Sequence, residues 1–126
     1  MLGKIFLGLL AIIFTGYGLY CLVNPGVLSG AAGVAANTVT GTIELQAMYG
    51  GLQTALGVLC GLGAFRADFK RTAMTALLFV FAGLAVVRVS LAFMHGDFSA
   101  YTVGAMSFES FCAVFLLWYL ALRKNT

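Results

Sequence analysis

Apolar residues run through this chain in four long blocks, separated by short groups of polar or turn-forming residues. The blocks cover about Ile5–Val23, Ile43–Phe65, Thr72–Met94 and Val103–Leu122. A span needs roughly 20 apolar residues to cross about 30 Å of hydrocarbon. Lipid offers no partner to backbone N–H and C=O groups, so each block is expected to be a helix. Asn24-Pro25-Gly26 ends the first, because proline cannot continue a helix and glycine can turn. Arg66–Arg71, RADFKR, reads as a tight charged turn. His95–Ala100, HGDFSA, reads as a polar turn with a glycine. The expected fold class is all-α, an integral membrane four-helix bundle forming a single four-span domain over residues 1–126.

Two segments need separate reading. The opening stretch has Lys4 and then an apolar run longer than the core of a signal peptide, with no A-x-A site after it. It reads as a retained first span. The loop over residues 24–42 is Gly/Ala-rich, uncharged and longer than the other loops. It is expected to rest on the headgroups, with a short interfacial helix or a lid over the bundle as alternatives.

Composition strengthens the membrane reading. Hydrophobic residues make up 62% of the chain, charged residues 9%, and mean hydropathy is +1.03. Soluble domains carry about 25% charged residues. The net charge of +3 does not imply a nucleic-acid partner, because the basic residues sit at segment ends and form no patch. Their positions set an orientation instead. Lys4, then Arg66, Lys70 and Arg71, then Arg123 and Lys124 fall on one side. Both termini are therefore expected in the cytoplasm, with the 24–42 and 95–102 loops outside. Cys21, Cys60 and Cys112 are isolated in apolar runs without metal-ligand spacing and read as packing residues.

The candidate chemistry lies where polar residues interrupt the spans. Arg88 stands roughly 10 Å inside the outer end of the third span, and Glu109 roughly 9 Å inside that of the fourth. Tyr17 and Tyr49 fall at similar depth in the first two. Arg88 shares a helix face with Ala85, Ala92 and His95, and Glu109 with Ala105, Cys112 and Ala113. Small residues mark helix contacts in membranes, so both charges are expected to face inward and to pair. Glu44 is placed in the first turn of the second helix, either favoured there by the helix dipole or turned toward Arg88. Gln53 shares the opposite half of that helix with Tyr49, Gly50, Gly57 and Gly61. Those glycines and Thr54 mark close packing, intramolecular in preference to a homo-oligomer through small-residue faces. Trp118 and Tyr119 read as an interface belt. His95 reads as a boundary residue. No Ser-His-Asp arrangement, phosphate loop or metal cluster is present, so no catalytic residue, metal or cofactor is assigned.

Glu44 and Tyr49-Gly50-Gly51-Leu52-Gln53, followed by Arg88 and Glu109, resemble the pattern of a bacterial family of small membrane proteins, the domain of unknown function 4345. Asn24-Pro25-Gly26 also fits, while Val87 stands where the family tends to have glycine beside the arginine. The resemblance covers nearly the whole chain and implies a four-helix protein of the bacterial inner membrane without an agreed activity. The architecture is more distantly similar to DoxX-type membrane proteins.

The preferred functional reading is a non-enzymatic module in the lipid bilayer. Its buried polar cluster of Arg88, Glu109, Glu44, Tyr49, Tyr17, Gln53 and His95 would bind a small amphipathic ligand or a membrane protein partner. A membrane subunit of a DoxX-like oxidoreductase system, with Cys21 and Cys112 as thiols, is the alternative. A purely structural clasp is the third reading. Transport would be expected to show broken helices or inverted repeats, which the sequence does not clearly carry.

Overall fold

Helix formation follows the apolar blocks closely but runs past their edges. The structure, a computed structural model, describes residues 1–122. Arg123 and Lys124, part of the orientation argument, lie outside the described residues. Helix α1 spans Leu2–Val23, α2 Val27–Ala32 and α3 Val39–Leu45. A π-helical segment, Gln46–Gly51, joins α3 to α4 (Leu52–Phe65). Helices α5 and α6 span Ala67–His95 and Ala100–Leu122. No strand occurs among the described residues. Four helical stretches, Leu2–Val23, Val39–Phe65, Ala67–His95 and Ala100–Leu122, are long and apolar enough to cross a membrane.

The chain divides into two compact units, Met1–Lys70 and Arg71–Thr126. In the first, α1 and α4 run antiparallel with their backbones in near contact. A methyl group added at Gly18 would stand 2.6 Å from Thr54 N, and one at Gly57 would stand 2.6 Å from Thr15 N. One at Gly50 would meet the Leu22 side chain at 2.5 Å. Helices in lipid associate largely through such close packing, so the glycines permit the contact that holds this unit together. The intramolecular reading of Gly50, Gly57 and Thr54 holds. Gly61 is looser, its nearest neighbour being the Ala11 methyl at 4.0 Å.

Three segments depart from the sequence expectation. The 24–42 loop is not a plain surface loop but contains α2, a short helix as its alternative reading had it, anchored by the fully buried Leu28 and ended by Gly33 in the left-handed region at φ 68°. Arg66–Arg71 is not a turn. Arg66 alone is extended (φ −112°, ψ 121°), and α5 begins at Ala67. Asp68 in the first turn favours that start electrostatically and pairs with Arg66 at 2.9 Å. At 29 residues α5 is roughly 43 Å long, so its charged first turns can project beyond about 30 Å of hydrocarbon. The third departure is at the end of α6. Trp118 is exposed as a belt residue would be, but Tyr119 is buried and stacked against Phe115 at 6.1 Å.

In the second unit, α5 and α6 are joined by a turn with assigned roles for its polar residues. Gly96 takes φ 67° and ends α5. The Asp97 carboxylate accepts from Ser99 N at 3.1 Å and from the Thr102 hydroxyl at 2.7 Å. Ser99 Oγ accepts from Thr102 N at 3.4 Å, which opens α6. Phe81 and Phe108 meet edge to face at 5.7 Å between the helices.

Candidate functional site on the α5–α6 hairpin

Arg88 and Glu109 form a two-pronged ion pair. Arg88 Nε donates to Glu109 Oε2 at 2.8 Å, and Nη2 donates to Oε1 at 2.8 Å. This side-on fork is the stronger form of arginine–carboxylate contact. Its two halves differ in environment. Glu109 is 5% exposed, while the Arg88 side chain is 30% exposed. Glu109 faces inward with Cys112 and Leu116 on buried positions of α6. Arg88 lies one helical turn from two buried alanines, Ala85 and Ala92, which leave room for the guanidinium to cross to α6.

Arg88 also borders an open recess of about 760 Å³. Along α5 the recess is lined by Gly83, Leu84, Val87, Leu91, Ala92 and His95, and its far end is closed by Asp97 and Thr102. The lining is graded. Leu84, Val87 and Leu91 are 43%, 58% and 45% exposed, so the apolar part opens sideways onto an exposed surface of α5. His95, Asp97 and Thr102 give one polar end, and Arg88 lies roughly 10 Å from it along the helix. In the turn, hydrogen bonds from the Thr102 hydroxyl and then the Ser99 backbone hold the Asp97 carboxyl below its ordinary range.

The sequence places seven residues in one polar cluster. Arg88, Glu109 and His95 lie together in the second unit, and Arg88 and His95 line the same recess. Tyr17 on α1, Glu44 on α3, Tyr49 in the π-helical segment and Gln53 on α4 belong to the first unit. Glu44 is the sixth residue of α3 and exposed, so it does not occupy the first turn. Thr38 caps that helix, its hydroxyl accepting from Gly41 N at 3.0 Å. Tyr49 is partly buried. Gln53 buries its Oε1 without a hydrogen-bond partner among the described residues.

Sequence reasoning missed Asp97 and Thr102 as part of the site. The signal was present, since Asp97 stands two residues before Ser99 in a turn that opens a helix. It also missed Gln46, whose Nε2 donates to Leu22 O at 2.7 Å and satisfies a carbonyl in the last turn of α1. All three cysteines are free thiols and buried.

The four helical stretches long and apolar enough to cross a membrane, with the ion pair set between two of them, are consistent with a multi-span helical membrane protein. More specifically, the chain belongs to the family described as "Domain of unknown function (DUF4345)", whose match covers residues 2–120. No curated protein and no solved structure matches the chain.

Proposed function

We propose that this protein is a non-enzymatic membrane module that holds a small amphipathic molecule in the recess on the α5–α6 hairpin. The observation that carries the reading is the position of Arg88, which is both locked to Glu109 and part of the recess wall. A volume of about 760 Å³ falls in the usual range for small-molecule sites. The exposed Leu84, Val87 and Leu91 favour an occupant that arrives from the bilayer. Lys4 and Arg66 lie at the same end of the antiparallel α1–α4 pair, which supports a cytoplasmic position for that end. His95 lies at the other end of α5 from Arg66, so the polar end of the recess would face outward.

Filling the recess tests the proposal. Val87→Trp and Leu91→Trp add bulk to its wall, whereas Val114→Trp adds it to an exposed position of α6 outside the lining. The protein would be purified from its membrane in mild detergent and its retained small molecules measured by native mass spectrometry. The first two variants are expected to lose a bound species that the wild type and Val114→Trp keep. An unchanged bound complement in all four proteins refutes the reading.

The bidentate geometry of Arg88 and Glu109 favours a second reading, in which the pair is only a clasp between α5 and α6. A buried ion pair is weak evidence for net stability, since well-packed apolar residues often serve as well. The clasp also leaves the graded lining of the recess without a role.

A further inference from the structure

Away from the recess, charge is densest where α4 meets α5, at the end of the first compact unit. We propose that this junction holds the phosphate of an anionic membrane lipid, with Arg66 as the principal contact and Lys4 and Lys70 adding attraction. The site is independent of the recess.

Arg66 is the single extended residue between the two helices, and its side chain is fixed on two sides. Nη2 donates to Asp68 Oδ2 at 2.9 Å and Nε to Oδ1 at 3.4 Å, while the Phe69 ring centre lies 4.9 Å from the guanidinium carbon. Asp68 thus takes one edge of the guanidinium and Phe69 one face. The remaining edge, formed by Nη1 and the outer N–H of Nη2, has no partner among the described residues, and the side chain is 59% exposed. Two coplanar donors held in place suit two phosphate oxygens. Holding them in advance lowers the ordering cost of binding.

The other basic groups are brought to the same level by the α1–α4 register. Gly18 opposes Thr54, Thr15 opposes Gly57 and Ala11 opposes Gly61, so each step back along α1 is a step forward along α4. Continued to its end, this register sets Lys4 just beyond Phe65, where Arg66 stands. Lys70 follows within the first turns of α5. Lys4, Arg66 and Lys70 against Asp68 give this end a formal side-chain charge of +2. All of these groups lie within Met1–Lys70. The stretch Val39–Phe65 has 27 residues, about 40 Å of helix, so in a bilayer its end reaches the headgroup layer. Phe65, 88% exposed, places an aromatic ring against the acyl chains directly beside Arg66. An anionic lipid satisfies both neighbours at once, whereas a zwitterionic lipid brings its own cation to a positive end.

The test uses the full chain, delipidated in mild detergent and titrated with phosphatidylglycerol or phosphatidylcholine of identical acyl chains, with bound lipid counted by native mass spectrometry. The first phosphatidylglycerol is expected to bind about tenfold more tightly than the first phosphatidylcholine. Arg66→Gln is expected to remove most of that preference, leaving about twofold. Lys4→Gln, on another helix, is expected to reduce it about threefold and keeps the test decisive if the first variant does not fold. Thr40→Asp lowers the net charge by the same amount at an exposed position near the other end of the second span, and is expected to change nothing. Glycerol phosphate, the same head without acyl chains, is expected not to compete. Equal affinity for the two lipids in the wild type overturns the proposal, as does a preference that survives both Arg66→Gln and Lys4→Gln. An equal loss in Thr40→Asp assigns the preference to overall charge and overturns the site. Competition by glycerol phosphate makes the occupant a soluble anion and overturns the lipid assignment.

Discussion

Removing Arg88 and removing Glu109 should not cost the same, although they are partners. Arg88→Met strands a carboxylate that is 5% exposed and deletes both of its 2.8 Å hydrogen bonds. Breaking a buried pair from one side costs about 3–5 kcal/mol. The Arg88 side chain is 30% exposed, which places this loss near the lower end, about 3 kcal/mol. Glu109→Leu leaves a long side chain whose head can turn toward the recess and the polar end of α5. That variant is expected to cost only about 1–2 kcal/mol. In Arg88→Met/Glu109→Leu neither charge remains, and stability should return to within about 1 kcal/mol of wild type. The coupling energy from the cycle is then roughly 3–5 kcal/mol. Equilibrium unfolding in mixed micelles of rising SDS fraction, followed by far-UV circular dichroism, measures all four proteins. If the double variant loses the sum of the two single losses, the pair contributes nothing that depends on both members. If Glu109→Leu proves the costlier single change, the burial argument is wrong.

Two further predictions concern packing and pH. Gly18→Ala and Gly57→Ala should each destabilise the protein by about 1–3 kcal/mol, since the new methyl meets backbone atoms of Thr54 or Thr15. Gly16→Ala, with nothing within 4 Å, should be neutral or stabilise by up to about 1 kcal/mol in the same unfolding assay, and equal losses at all three sites would refute the close approach. Asp97 has its carboxyl held below its ordinary value of 3.8, chiefly by the Thr102 hydroxyl. Its stabilising effect is therefore complete above that value and lost as pH falls through the lower folded-state pKa. The stability difference between wild type and Asp97→Asn should be constant above about pH 5 and shrink below about pH 4, and a difference that stays flat to pH 2 refutes the assignment.

The spans and the ion pair were legible because each depends on one strong rule. Apolar length forces helix in lipid, and a charge within an apolar helix needs a partner at its own depth. The α4–α5 junction was misread because Arg66, Asp68, Lys70 and Arg71 look like a solvated turn by composition. In fact a single extended residue separates α4 from α5, and the charges ride on a helix longer than the hydrocarbon is thick. Tyr119 was misread because a tyrosine near a span end has two homes, the interface and the core, and sequence alone does not separate them. The recess was not legible at all. Its wall combines α5 with Asp97 and Thr102, and the turn's hydrogen bonds decide where those two stand.

The misplacement of Glu44 has two origins, a helix that starts at Val39 and not near Ile43, and an irregularity further along it that periodicity treats as uniform. The wheel applied to residues 43–65 assumes 100° per residue throughout, but Gln46–Gly51 is π-helical and carries the extra residue of such a segment. Everything before it is rotated by about 100° relative to Thr54 and Gly57. The rotation has a use, because Gln46 reaches the Leu22 carbonyl while Gly50 faces the Leu22 side chain. The Tyr49-Gly50-Gly51 sequence is thus explained first by backbone geometry, with small residues where the helix widens against α1. Gln46→Leu should cost about 1–3 kcal/mol by leaving the Leu22 carbonyl without that donor. Deleting Ala47, which is exposed, would return the segment to α-helix and turn α3 by about 100°, losing the same bond and the present seating of α3. The deletion should therefore cost clearly more than Gln46→Leu in the same unfolding assay. A deletion no worse than the substitution would mean that the π-helical segment only accommodates a surplus residue, and that Gln46 is held by reach rather than by register.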